Sequence, residues 1–165
     1  MKKITLLTAL TILTLSSIAQ NKFGYIDSQE LLLLMPDRKN AEIEVQNFAK
    51  TLEAQLELMT AEYQESIQEY QANEATFSDL VKQDKIAEIT GLEQRIQAFQ
   101  QNAQQSLQQK EQELLDPILA KARKAIEDVA KDGDFTYIFD KSQGTILYVK
   151  ESENVLTLVK RKLNL

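Results

Sequence analysis

Apolar side chains recur at helical spacing along residues 37–131, a stretch with one interior glycine and one interior proline. In its first half the steps are three or four residues: Val45, Phe48, Leu52, Leu56, Met59, Tyr63, Ile67 and Tyr70. In its second half apolar positions lie eleven residues apart: Leu92, Ala103, Leu114 and Ala125. Eleven residues over three turns give about 3.67 residues per turn, which favours a nearly straight pairing of helices. The shared period predicts that two segments of this stretch pair in one coiled-coil arm.

This helical stretch is predicted to fold back on itself. A single helix of this length would extend about 140 Å and would separate the strand-like segments at its two ends. Short strands that stand alone are only marginally stable in water. A second helix that runs back along the first is therefore favoured, because it brings the strand-like segments together. A polar cluster offers the turn, with hydroxyl groups that can cap a second helix: Asn73, Thr76, Ser78 and Asp79. We therefore predict an arm over residues 37–116 with its tip near 73–80.

The flanking segments, residues 20–36 and 117–165, are predicted to form a small β-containing body. Residues 22–27 are aromatic and β-branched and are typical of a strand, and residues 135–140 and 145–149 alternate with a period of two around a glycine-containing loop. They predict a hairpin, and hence three strands. Residues 31–35 predict a short helix whose leucines are buried, and residues 155–163 predict a last helix capped by Asn154.

The two prolines are predicted to mark the base of the arm. Pro36 stops the short helix and suits the first turn of the next one. Pro117 lies inside the returning helix, where it removes one backbone hydrogen bond and is expected to kink the helix. The midpoint between the two falls inside the polar cluster. The two prolines should therefore lie level when the arm folds back.

The N-terminus has the order of a secretory signal. Lys2 and Lys3 precede an apolar run, which ends in small residues before Ala19. An uncleaved anchor is the alternative, but the run is shorter than the roughly 20 residues that cross a bilayer. We expect a signal peptide at residues 1–19, cleaved after Ala19, and a soluble periplasmic chain over residues 20–165.

Composition narrows the function further. Without the two N-terminal lysines the chain has 17 basic and 25 acidic residues, and this charge repels nucleic acid and anionic lipid. We expect no nucleic-acid partner and no strong membrane binding. The absence of His and Cys excludes imidazole and thiol catalysis and most zinc sites. No glycine-rich phosphate loop or catalytic constellation is found, so we expect neither an enzyme nor a cofactor.

Two groups of residues are the candidates for binding. Most of the arm's apolar stripe should pack against the facing limb, but large groups near the tip are candidates for contacting unfolded polypeptide: Tyr63, Tyr70, Phe77 and Leu80. A three-stranded body would leave exposed edges, which pairing between several copies would remove. The candidates for this shared body core are Tyr25, Ile26, Tyr137, Phe139, Ile146 and Tyr148.

The chain resembles the Skp/OmpH family of periplasmic chaperones for outer-membrane proteins. The resemblance rests on residues 23–28 (FGYIDS), 113–118 (ELLDPI) and 137–142 (YIFDKS) with Leu147 and Tyr148, and on residues 159–163 (VKRKL). It implies a homotrimer with a barrel-like β body and three helical-hairpin arms. The cavity between the arms would hold unfolded outer-membrane proteins without ATP. The known members are strongly basic whereas this chain is acidic, so lipid and lipopolysaccharide binding are not carried over.

The predicted fold class is α+β, mainly α, and the predicted function is an ATP-independent periplasmic holdase. The alternative is a structural or adaptor coiled coil of the envelope that docks folded partners through one face of its arm. A hydrolase that uses Asp/Glu pairs is a third class, for which the sequence offers no positive sign.

Overall fold

The computed structural model describes residues 21–165. In chain order its elements are β1 (Phe23–Ile26), α1 (Ser28–Leu34), α2 (Pro36–Asn73), α3 (Asp79–Asp132), β2 (Tyr137–Asp140), a 3-10 turn (Glu151–Glu153) and α4 (Leu156–Leu163). The chain divides into two compact units. We call residues 32–123 the hairpin unit, and residues 21–31 with 124–165 the strand unit. The predicted signal peptide at residues 1–19 lies outside the described residues.

The hairpin unit consists of two antiparallel helices, as four ion pairs between its limbs show. As the residue number in α2 falls from 69 to 37, the number of the partner in α3 rises from 85 to 121. The pairs are Glu69–Lys85 at 2.9 Å, Glu62–Arg95 at 3.5 Å, Glu44–Lys110 at 3.3 Å and Asp37–Lys121 at 2.7 Å. The helices therefore meet at residues 74–78, where the polar cluster lies.

Two hydroxyl groups of the polar cluster act at this turn. The hydroxyl of Thr76 donates to the backbone carbonyl of Asn73 at 2.7 Å, so it closes the end of α2. The hydroxyl of Ser78 accepts a bond from the backbone N–H of Val81 at 3.4 Å, so it caps the start of α3. These side-chain bonds add to the backbone bonds from the Thr76 and Phe77 N–H groups to the Asn73 carbonyl, so the turn forms without glycine or proline.

The predicted stripe is the less exposed face of both helices. Its eight positions in α2 are all half-buried, whereas most of the residues between them are exposed. In α3, Leu92 and Ala125 are buried, and Ala103 and Leu114 are half-buried. An eleven-residue period in the sequence therefore appears as a continuous covered seam, because apolar side chains at this spacing stay on one face of an almost straight helix.

The helix α3 continues through Pro117 without a break. Pro117 borders a cavity of about 300 Å³ together with Asp37 and Ala41, which belong to the first turns of α2. Pro36 is the first residue of α2, as the sequence indicated. The two prolines thus lie at the same level of the hairpin unit, and a kink at Pro117 stays a prediction.

The strand unit has a two-stranded parallel sheet in which β1 is paired on both edges. Phe23 is opposite Tyr137 and Ile26 is opposite Asp140 on one edge. On the other edge Tyr25 forms a bridge to Asn154, and its carbonyl accepts the Val155 N–H at 2.9 Å. The last helix starts one residue later than predicted and its N-cap position is Val155, not Asn154, although the Asn154 side chain accepts the Leu156 N–H at 2.9 Å.

The hairpin predicted from residues 135–140 and 145–149 is not formed within one chain. Residues 137–140 are a strand, but residues 145–149 have no regular structure. The partner of β2 is β1, and a turn at Gly144, whose φ is +67°, follows instead, a conformation that glycine adopts freely. Leu147 and Tyr148 are 97% and 85% exposed, and within residues 21–165 no backbone hydrogen bond joins residues 145–149 to the sheet.

The core of the strand unit is small and apolar. Tyr25, Ile26, Leu31, Val155 and Val159 are each at most 2% exposed. The prediction that the leucine run of α1 is buried is right only for its first residue, because Leu33 and Leu34 in the hairpin unit are exposed. Alternate sides of a short helix face different surroundings, so four consecutive leucines cannot all share one buried face.

Candidate functional surfaces

The four side chains predicted at the tip lie around the turn of the hairpin unit. Tyr63, Tyr70 and Phe77 are half-buried, and Leu80 is 68% exposed. The rings of Tyr70 and Phe77 come together across the end of α2, with centroids 6.4 Å apart in a tilted arrangement. The aromatic candidates are therefore partly covered by the hairpin itself, and Leu80 is the most open of the four.

Three further apolar residues near the turn were not among the candidates predicted from the sequence. Leu58 is 65% exposed, Val81 38% and Ile86 50%. Leu58 and Ile86 lie off the apolar stripe, whereas Val81 continues its eleven-residue series (81, 92, 103) in the first turn of α3. A two-helix hairpin has only one buried seam, so an apolar residue outside the stripe has nothing to cover it. A search of the sequence for apolar residues between the stripe positions could therefore have identified Leu58 and Ile86.

Ionisable groups surround these apolar side chains. Lys85 bonds to Glu69 and also lies 3.3 Å from Glu88, and the hydrogen bonds to Glu69 and then Glu88 raise the pKa of Lys85. The pKa of Tyr70 is raised, first by loss of solvent around the phenol and then by the charge of Glu74. Both shifts favour the protonated form, so at neutral pH Lys85 is a cation and Tyr70 a neutral phenol.

A second candidate surface lies on the strand unit. The rings of Phe23, Tyr137 and Phe139 are arranged together with centroids 6.0–6.3 Å apart. Each ring is between 44% and 59% exposed, although aromatic groups of this size usually bury most of their surface. An open groove of about 390 Å³ adjoins them, lined in part by Ile146 and Tyr148.

Of the six residues predicted for a shared body core, the single chain buries two. Tyr25 and Ile26 are buried, and Ile146 is half-buried. The other three are exposed: Tyr137, Phe139 and Tyr148. An exposed aromatic cluster beside a strand edge is the kind of surface that another chain covers.

Two polar contacts position the segment that carries this surface. The Tyr25 hydroxyl donates to Glu151 at 2.8 Å, and this bond lowers the pKa of the Glu151 carboxyl. Partial burial raises the pKa of the Asp140 carboxyl, but bonds donated by the Ser28 hydroxyl and by the Ser142 and Ser28 N–H groups outweigh it. The pKa of Asp140 is therefore lowered overall, and its carboxylate ties the end of β2 to the start of α1.

These surfaces are apolar and aromatic, and their ionisable groups are dispersed. Within residues 21–165 no three carboxylates come close enough together to hold a metal ion. No helix in this part of the chain is long and apolar enough to cross a bilayer.

Comparison with known proteins agrees with this fold. The family described as "Outer membrane protein (OmpH-like)" matches residues 22–163. Among solved structures, that of an OmpH-like protein from Caulobacter crescentus CB15, assigned as an outer membrane chaperone, superposes with a TM-score of 0.78 at 13% identity. The match covers 88% of this chain and 85% of that one.

No curated protein matches the sequence significantly. The structural likeness at 13% identity establishes a shared fold, and the family match spans nearly all of the described residues. The order of elements, a first strand, two long antiparallel helices, a second strand and a last helix, extends through the whole of that match. The chain therefore belongs to the OmpH-like family.

Proposed function

We propose that this protein is an ATP-independent holdase chaperone of the periplasm, which binds unfolded outer-membrane proteins between helical arms. The observation that carries the proposal is the set of exposed apolar residues around the turn of a hairpin whose main stripe is already covered. Such residues add nothing to the packing of the hairpin. Membership of the OmpH-like family and the structural likeness to a protein assigned as an outer membrane chaperone support the same function.

The mechanism is weak contact at many points. An exposed apolar side chain such as Leu58 or Leu80 gains about 25 cal/mol for each Å² of apolar surface that a client covers. One contact of this kind is transient. Several arms that present such contacts around one client raise its effective concentration, so the client is held without a pocket and without nucleotide hydrolysis.

The assembly that would bring several arms together is a homotrimer built through the strand unit. The exposed rings of Tyr137 and Phe139, the groove beside them and the unpaired segment 145–149 support it. In the trimer, residues 145–149 would add to a sheet edge and the three strand units would share a barrel-like core. The arm base, including Pro117, would connect this body to the hairpins.

Light scattering combined with size-exclusion chromatography tests the assembly. The proposal expects three times the mass of residues 20–165 at micromolar concentration, and small-angle scattering should show an extended particle. A compact monomer at all concentrations would contradict both the trimer and the arms.

Suppression of aggregation tests the activity. A urea-denatured β-barrel membrane protein is diluted into buffer with one trimer per client, and light scattering is followed. We expect the unaltered protein to abolish most of the scattering. The variant with Leu58→Ser and Leu80→Ser should protect less, because both side chains are exposed and lie outside the covered stripe. Unchanged scattering with the unaltered protein would refute the holdase.

A matched control separates this effect from a general loss of apolar surface. Leu33→Ser with Leu119→Ser also removes two exposed leucines from the hairpin unit, but at its other end. We expect this control to protect like the unaltered protein. Equal loss in both variants would show that the turn has no special part. Saturable capture of a folded envelope protein, unaffected by denatured competitor, would favour the adaptor alternative instead.

A further inference from the structure

We propose that the turn end of the hairpin unit prefers unfolded segments that combine apolar side chains with Lys and Arg. This inference rests on the proposed holdase function and adds the chemical class of segment that the arm takes. The surface concerned is residues 57–95, which we call the turn segment. Its occupant is argued from charge complementarity and from the apolar residues that lie within it.

The negative charge of the chain is concentrated in the turn segment. Residues 57–95 contain nine acidic and three basic residues, a formal charge of −6. The rest of the hairpin unit, residues 32–56 and 96–123, contains seven acidic and six basic residues, a charge of −1. The strand unit has nine acidic and eight basic residues, also −1. Four exposed apolar residues lie within this negatively charged segment: Leu58, Leu80, Val81 and Ile86.

Internal ion pairs neutralise only part of this charge. Glu69 and Glu88 share Lys85, and Glu62 pairs with Arg95. Within residues 21–165 the other six carboxylates of the turn segment form no ion pair: Glu57, Glu65, Glu74, Asp79, Asp84 and Glu93. Asp79 lies at the start of α3, where a negative charge stabilises the helix. The remaining carboxylates have no comparable structural use apart from Glu74, which accepts from Tyr70.

Apolar and acidic side chains alternate here at distances that suit a long cationic side chain. On α3, Leu80 lies four residues and Val81 three residues before Asp84, so each of the two apolar residues shares one helix face with this carboxylate. Lys and Arg bury their methylene stems on apolar surface while the charged head stays in water. A leucine with a carboxylate one turn away offers contacts to both parts of such a side chain.

The distribution of the carboxylates suits an extended polypeptide ligand and does not suit a single metal ion. Within residues 21–165 no carboxylates cluster closely enough to coordinate a metal, so the field is spread along both helices. A spread field attracts a flexible polycation and repels acidic segments, and salt screens it with a Debye length of about 8 Å at physiological ionic strength. Each exposed charge pair is weak, but several together give a preference.

The test uses the full trimer-forming chain and three labelled unstructured peptides of equal length and equal apolar content. Their polar positions are filled with Lys, Glu or Ser. Fluorescence anisotropy at low salt should give about tenfold tighter binding of the Lys peptide than of the Glu peptide, with the Ser peptide between them. At about 1 M salt, where the Debye length falls to roughly 3 Å, the three affinities should converge.

Two variants with the same change in charge locate the effect. The first, Glu65→Gln, Asp84→Asn and Glu93→Gln, removes three exposed and unpaired charges of the turn segment. The second, Glu53→Gln, Glu111→Gln and Glu113→Gln, removes three exposed charges of the hairpin unit that lie outside the turn segment. Circular dichroism checks that both keep their helix content. We expect the first to weaken binding of the Lys peptide several-fold and the second to change it less than twofold.

The outcomes separate this inference from the proposed function. Equal affinity for the Lys, Ser and Glu peptides, or equal loss in the two variants, would overturn the charge preference and leave the holdase standing. Failure to bind all three peptides, together with unchanged aggregation of a denatured client, would overturn the holdase itself. Preference for the Lys peptide that disappears in the first variant alone would establish the inference.

Discussion

The same substitution, glycine to alanine, should have opposite effects at two positions of this protein. Gly91 lies inside α3, and an added methyl group there would meet no atom within 4 Å. Gly24 lies in β1, and the same group would meet the ring of Phe135 and the Cγ1 atom of Val155, both at 2.9 Å. The first site has free space and the second has none.

The expected magnitudes follow from these distances. In a helix interior, alanine is more favourable than glycine by about 0.8–1.0 kcal/mol, and nothing at Gly91 opposes the gain. Gly91→Ala should therefore lower the local opening equilibrium of α3 about fivefold. At Gly24 both contacts are closer than side chains tolerate, so Phe135 and Val155 must shift, which costs about 1–3 kcal/mol in a packed core.

Native-state hydrogen exchange resolves the two effects. In Gly91→Ala, amides of α3 around position 91 should exchange about fivefold more slowly, because their opening is less frequent. In Gly24→Ala, amides of β1 and β2 should exchange faster, and the melting temperature should fall. Ala87→Gly is the matched control for α3, since Ala87 is exposed one turn earlier and should lose what Gly91→Ala gains.

Two results would refute this reasoning. Faster exchange in Gly91→Ala would mean that the site is constrained by contacts that the single chain does not contain. Unchanged exchange of β1 and β2 in Gly24→Ala would mean that the core around Phe135 yields without cost. Either result would show that the free space around an added methyl group does not by itself predict local stability here.

Three further predictions address buried, titratable and exposed residues of α1 and the strand unit. Leu31→Ala should destabilise the fold by about 2–5 kcal/mol in urea denaturation, because Leu31 is fully buried. Leu33 is 70% exposed, so Leu33→Ala should change stability by less than about 0.5 kcal/mol, and equal effects would contradict the assignment. The lowered pKa of Asp140 means that its ionised form stabilises the fold above the ordinary pKa of the group. Stability should therefore fall as the pH drops below the ordinary carboxyl pKa of 3.8 and through the lowered value, and Asp140→Asn should flatten this fall; an unchanged slope would rule out the contribution. Leu147→Ser with Tyr148→Ser removes two exposed side chains that would cover a strand edge of another copy. The mass in light scattering should shift from trimer to monomer while helix content is kept, and an unchanged mass would exclude this segment from the proposed interface.

The hairpin unit shows how much local sequence can determine. The eleven-residue period predicted which face of each helix is covered, because that period is a property of the helix alone. The polar cluster at residues 73–79 contained the turn because its hydroxyl groups satisfy backbone groups at two helix ends. The exposed residues Leu58 and Leu80 were also recognisable in the sequence, because both are apolar and lie outside the eleven-residue period.

The strand unit shows where local sequence is insufficient. The alternation of apolar and polar residues on both sides of Gly144 predicted that residues 145–149 pair with residues 135–140 in a hairpin. Such alternation indicates only that a segment can form a strand, and it does not determine which strand it pairs with. In the fold, β2 pairs with β1, from the other end of the chain. The bonds from Ser28 to Asp140 join the same two ends.

By itself the sequence determined the helices, their covered face, the turn between them and the acidic character of the turn segment. Each of these depends on residues that are neighbours along one helix or one turn. The parallel pairing of β1 with β2, the exposure of Tyr137, Phe139 and Tyr148, and the single buried leucine of α1 were decided by tertiary structure. They depend on which distant segments meet, and that is set by the packing of the whole strand unit.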